Sequence, residues 1–81
     1  SKNKLELNVG IDVDAVLQKM KEKYSSERVN DIDGIKIDFA ESWVHLRKSN
    51  TEPIIRIYSE AKTEREAENL ARKMISDMKE F

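Results

Sequence analysis

The stretch Trp43-Val44-His45-Leu46-Arg47-Lys48-Ser49-Asn50-Thr51-Glu52-Pro53-Ile54-Ile55-Arg56-Ile57-Tyr58-Ser59-Glu60 decides the fold. Both of its ends read as strands. Val44 and Leu46 share one face of the first. In the second, Ile55 and Ile57 face one way and Ile54, Arg56 and Tyr58 the other. Between them, residues 47–53 pack two cations, two hydroxyls, an amide and a rigid proline into a short connection. Ser, Asn, Thr and Pro are ordinary turn formers, so a polar inter-strand loop needs no ligand. The same groups would also serve an anion. Arg and Lys bring charge, Ser and Thr bring O–H donors, and a tight turn aims backbone N–H groups inward. Pro53 fixes its own φ and pushes Glu52 toward an extended shape. Asn50 tolerates the left-handed region that such an inward bend uses, which leaves its φ open.

Working outward, Asp33-Gly34 is a hairpin signal, because both residues tolerate positive φ. It separates a short strand over residues 29–32 from the alternating Ile35, Ile37 and Phe39, and Glu41-Ser42 turns the chain into residues 43–47. Nearer the start, Leu5, Leu7 and Val9 alternate with Lys4, Glu6 and Asn8, a strand with one buried face that Gly10 ends. Asp12 is the expected N-cap of a helix carrying Val13, Val16, Leu17, Met20 and Tyr24 inward. Lys19, Lys21 and Lys23 spread over its outer side as a solvated surface, and Ser25-Ser26 closes it. A second helix opens on a capping box, Thr63 and Glu66. Its apolar stripe is Ala67, Leu70, Ala71, Met74, Ile75 and Met78, with Glu68 and Arg72 as an exposed i,i+4 pair. The order is strand, helix, four strands, helix. Hairpin connections without repeated βα units make this an α+β fold, with two helices on one face of a mostly antiparallel sheet.

Composition narrows the function classes. The chain has 81 residues, 38% hydrophobic and 38% charged, with a formal net charge of −1 and no cysteine. One small domain fits this length. A nucleic-acid-binding domain would ordinarily be more cationic. Thiolate chemistry and disulfides are excluded, which suits a cytoplasmic protein. No apolar run is long enough to span a membrane. Because Ser1 stands where an initiating Met would, residues 1–3 are expected to be the remnant of a linker, with the domain over residues 4–81.

The loop carries a resemblance. Arg47-Lys48-Ser49-Asn50-Thr51-Glu52-Pro53, followed by Ile54-Ile55-Arg56-Ile57-Tyr58-Ser59-Glu60-Ala61, resembles the C-terminal domain of the α-D-phosphohexomutases. These are the phosphomannomutase, phosphoglucomutase and phosphoglucosamine mutase enzymes. Their pattern is Arg, any residue, Ser, Gly or Asn, Thr, Glu, Pro, then a strand ending in Glu-Ala or Glu-Gly. Asp31-Ile32-Asp33-Gly34 with Trp43-Val44 also resembles the archaeal and bacterial branch. The resemblance covers nearly the whole chain. It implies the TATA-binding-protein-like topology β-α-β-β-β-β-α, and a parent of four domains of which this is the last. It implies that the phosphoserine, the Mg2+ loop and a sugar-recognition loop lie in the other three domains. Mg2+ and glucose 1,6-bisphosphate would therefore serve the parent, and no cofactor would bind in this domain. The substrate is a phosphosugar interconverted between its 1-phosphate and 6-phosphate. By position, Arg47, Ser49, Asn50 and Thr51 would hold the phosphate that is not transferred, and no residue here would be catalytic.

Other residues read more plainly. His45 is the one histidine and should share a strand face with Arg47. No carboxylate or metal-ligand partner stands at a suggestive spacing, so a structural role is expected. Lys48 departs from the small or apolar residue usual at its position and is expected to point to solvent. Trp43 is expected to pack on the sheet. Arg56 reads equally as a second ligand of the anion or as the partner of Glu52 or Glu60. Two alternatives to a phosphohexomutase domain are kept: a small α+β nucleic-acid-binding module, and an acylphosphatase-like enzyme. The first wants basic and aromatic residues interleaved on an open sheet face. The second wants an Arg-containing, glycine-rich loop near the start, and residues 5–11 hold one Gly and no Arg.

Overall fold

The computed structural model describes residues 1–8 and 10–81. Val9, expected in the first strand, lies outside the described residues. The elements are β1 (Lys2–Glu6), α1 (Val13–Lys23), β2 (Arg28–Asn30), β3 (Ile35–Asp38), β4 (Trp43–Lys48), β5 (Ile54–Glu60) and α2 (Glu64–Lys79). The strands form one sheet in the order β1-β5-β4-β3-β2, with every neighbouring pair antiparallel. The fold is α+β, in the β-α-β-β-β-β-α order expected.

Period-two alternation sends Leu5, Ile35, Ile37, Val44, Leu46, Ile55 and Ile57 to one side of the sheet. There they meet Val16, Leu17 and Met20 of α1, Tyr24 at its C-cap, and Ala71, Met74 and Met78 of α2 in a single core. Both helices thus cover the same face. Each fully buried Ile, Leu or Met contributes about 1.5–3 kcal/mol by leaving water. Asp12 caps α1 by accepting from the Ala15 N–H, and Thr63 caps α2 by accepting from the Glu66 N–H. Ser59 is buried on β5, and its hydroxyl donates to the Ala67 carbonyl, fastening that strand to the start of α2.

Four expectations change. β1 begins at Lys2, and the Ser1 and Ser59 backbones exchange hydrogen bonds, so residues 2 and 3 belong to the sheet and not to a connecting segment. β2 stops at Asn30, because the Asn30 side chain captures the Ile32 N–H. That capture leaves Ile32 fully in solvent and makes a four-residue turn, residues 31–34. Only Gly34 in that turn has positive φ, at 71°. Gly is required there, because a Cβ would collide with the Leu46 carbonyl oxygen. Finally, the outer lysines of α1 are not simply solvated: Lys21 pairs with Asp31 at 2.6 Å and Lys23 with Asp77 at 2.9 Å.

Candidate phosphate site

The loop lies at the end of the sheet where β4 leaves and β5 begins. Its frame is closed by backbone bonds. The Ser49 N–H donates to the Ile54 carbonyl at 3.1 Å, the Ile54 N–H to the Glu52 carbonyl at 2.8 Å, and the Leu7 N–H to the Pro53 carbonyl at 2.7 Å. Inside that frame the Thr51 N–H donates to Ser49 Oγ at 3.3 Å, and the two hydroxyls stand 3.5 Å apart. Ser49 and Thr51 therefore present their oxygens together. Asn50 is exposed and its φ is not positive. The bend is made without a left-handed residue, because the Ser49 hydroxyl substitutes for a backbone acceptor.

Arg47 and Lys48 are the last residues of β4, so their side chains leave on opposite sides of the strand. A cleft of about 410 Å3 opens beside them, between α1 and the turn at residues 31–34. Arg47, Lys48 and Asn50 line it together with Asp14, Asp31 and Asp33. Ser49 and Thr51 are not on its wall. Arg47 Nη2 lies 3.2 Å from Asp33 Oδ2, and Lys48 Nζ lies 2.9 Å from Asp14 Oδ1. Lys48 thus departs from the solvent-facing reading and reaches α1. Next to them, the Lys21 hydrogen bond and charge hold the Asp31 carboxyl below the usual carboxylate range.

Arg56 is the residue that sequence reasoning left undecided. It is the register partner of Arg47 across β4 and β5, and of Lys4 across β5 and β1. Among the described residues it pairs with neither Glu52 nor Glu60, and Glu60 instead accepts from the Trp43 indole at 3.1 Å. Arg47 and Arg56 therefore stand side by side on the open face. Like charges directly opposite destabilise a sheet unless an anion joins them. The signal was in the numbering: with Leu46 opposite Ile57 in the core, Arg47 must meet Arg56.

The His45 Nε2–H donates to the Asp33 carbonyl. Trp43 sits half-buried on the open face beneath Lys36, not in the core. No group of three or more metal-ligating side chains occurs among the described residues. No helix among them is long and apolar enough to cross a membrane.

Comparison with known proteins matches residues 4–76 to the phosphoglucomutase/phosphomannomutase C-terminal domain. A phosphoglucosamine/phosphogalactosamine mutase of Sulfurisphaera tokodaii is 44% identical over 75 residues, covering 90% of this chain and 16% of that protein. A phosphoglucomutase/phosphomannomutase of Thermococcus kodakarensis is 55% identical over 40 residues, 49% of this chain and 9% of its own length. A phosphomannomutase of Methanocaldococcus jannaschii is 36% identical over 61 residues, 74% and 14%. The chain thus spans about a sixth or less of these relatives. The nucleic-acid-binding alternative gains no support from them. With β-α-β-β-β-β-α topology and a family match over residues 4–76, the chain belongs to the phosphoglucomutase/phosphomannomutase C-terminal domain family.

Proposed function

We propose that this chain forms the substrate-phosphate-binding domain of a phosphohexomutase, which interconverts hexose 1-phosphate and hexose 6-phosphate. Arg47, Ser49, Asn50 and Thr51 grip the phosphate that is not being transferred. The observation that carries this reading is the pairing of Arg47 with Arg56 beside a loop whose two hydroxyls converge. A guanidinium presents paired N–H donors to phosphate oxygens, which a lysine cannot, and Arg56 adds a second cation from the facing strand. Ser49 and Thr51 then donate O–H groups, and Asn50 its exposed amide.

Every group in this set binds and none reacts. The domain holds charge at a distance from the chemistry, so the isolated chain should be inactive. Mg2+ and glucose 1,6-bisphosphate, which the family implies, belong in this reading to the other three domains of the parent. In a mutase the sugar must present either end, so a grip built from generic phosphate donors fits the task better than one reading the sugar. The expected setting is cytoplasmic, where hexose phosphates occur.

NMR titration of the 81-residue chain with glucose 1-phosphate tests the site. Amide shifts confined to residues 47–56 are expected at millimolar ligand, the weak range appropriate to one domain lacking its closure partners. A flat response in that segment would remove the reading.

A further inference from the structure

Both cations nearest the loop are already compensated by carboxylates from elsewhere in the chain. Arg47 meets Asp33 of the 31–34 turn at 3.2 Å, and Lys48 meets Asp14 of α1 at 2.9 and 3.2 Å. The four formal charges cancel. The turn that carries Asp33 is fixed against β4. His45 holds the Asp33 carbonyl, and Gly34 packs against the Leu46 carbonyl with no room for a Cβ. The Asp33 backbone therefore cannot drift from Arg47, while its side chain is 69% exposed and free to rotate into water. This is a tethered anion at high effective concentration beside the guanidinium that a ligand needs.

Resting on the reading of the loop as a phosphate grip, we propose that Asp33 is an intramolecular competitor at that site, holding the Arg47 guanidinium until a phosphate displaces it. A monoanionic carboxylate would only exchange one carboxylate for another on Arg47 and gain nothing. A phosphate dianion brings a second charge and further acceptor oxygens for Arg56, Ser49 and Thr51, and so outcompetes the tethered group. The same tethered group must leave for either anion, so it weakens both by one factor, and the preference for phosphate comes from the other donors.

The test is a titration of the 81-residue chain with inorganic phosphate and with acetate, near pH 7.5, reading amide shifts at residues 47–56. Wild type should prefer phosphate clearly. Asp33→Asn should tighten phosphate about fivefold, the scale of one exposed ion pair, and acetate by a similar factor. Asp33→Glu, which keeps the carboxylate, should resemble wild type. Glu68→Gln, which removes an equal charge on the far side of α2, should change neither ligand. Phosphate binding that is unchanged or weaker in Asp33→Asn overturns the proposal while leaving the loop reading intact. No binding at these residues in either chain overturns both. If Asp33→Asn does not fold, Asp33→Ser read in the same way decides it, and phosphate binding no tighter than in wild type defeats it.

Discussion

Asp77 and Asp33 are both aspartates paired with a cation, one between the two helices and one beside the loop. The Asp77 side chain is 12% exposed; it accepts from Lys23 Nζ at 2.9 Å and from the Tyr24 hydroxyl. Asp33 is 69% exposed and pairs with Arg47. Burial raises the Asp77 pKa, but the Tyr24 hydrogen bond and Lys23 outweigh it and hold the carboxyl below its usual range. Burial, then the Asp77 bond and charge, push Tyr24 well above an ordinary phenol. The chemistry of the two pairs is alike, and desolvation separates their roles. Removing a partner from Asp77 strands a charge away from water, whereas Asp33 released from Arg47 is simply hydrated. One cluster fastens the helices, and the other is cheap to open for a ligand.

The comparison can be broken in several places. Gly34→Ala should do the most damage, costing roughly 3 kcal/mol or more through a positive φ combined with a backbone clash. Denaturant unfolding measures it, and a loss under 1 kcal/mol would mean that the turn is not pinned to β4. Asp77→Ala comes next, at about 2–3 kcal/mol, because Tyr24 and Lys23 lose their acceptor; Asp33→Ala should stay within about 0.5 kcal/mol. Equal losses at the two aspartates would erase the contrast. Arg47→Lys should weaken inorganic phosphate about tenfold, the loss of one charge-assisted hydrogen bond, while leaving the unfolding midpoint in place.

The smallest effect is one of pH. The folded pKa of Asp77 is depressed, so at acid pH the unfolded chain takes up its proton first. The stability that Asp77 contributes is present above the unfolded carboxylate pKa of about 4 and is lost as pH falls through the folded value. Asp77→Asn should therefore flatten the acid limb of stability against pH. Asp33→Asn should leave that limb as in wild type. If both variants alter it alike, the acid limb does not report the helix junction.

What could be read from the residues follows the range of the forces. The limits of β5, the caps at Asp12 and Thr63 and the apolar stripe of α2 are local patterns, and all are where the spacing put them. The loop was recognisable because its donors are consecutive. Asp77 gave no signal, since Tyr24 lies 53 residues away and an isolated Asp on an amphipathic helix reads as surface. The Asp33–Arg47 and Lys48–Asp14 pairs likewise depend on where a turn and a helix come to rest. Asn50 left its φ open through its own versatility: a residue able to adopt positive φ was not obliged to once Ser49 supplied the acceptor.

The hydrogen bond from Leu7 to the Pro53 carbonyl has a thermodynamic consequence. The loop is sewn to β5 on one side and to the exit of β1 on the other, so its shape is set before anything binds. A ligand arriving there has little chain left to immobilise. The ordering entropy that usually erodes the affinity of polar loops was already spent when the sheet formed.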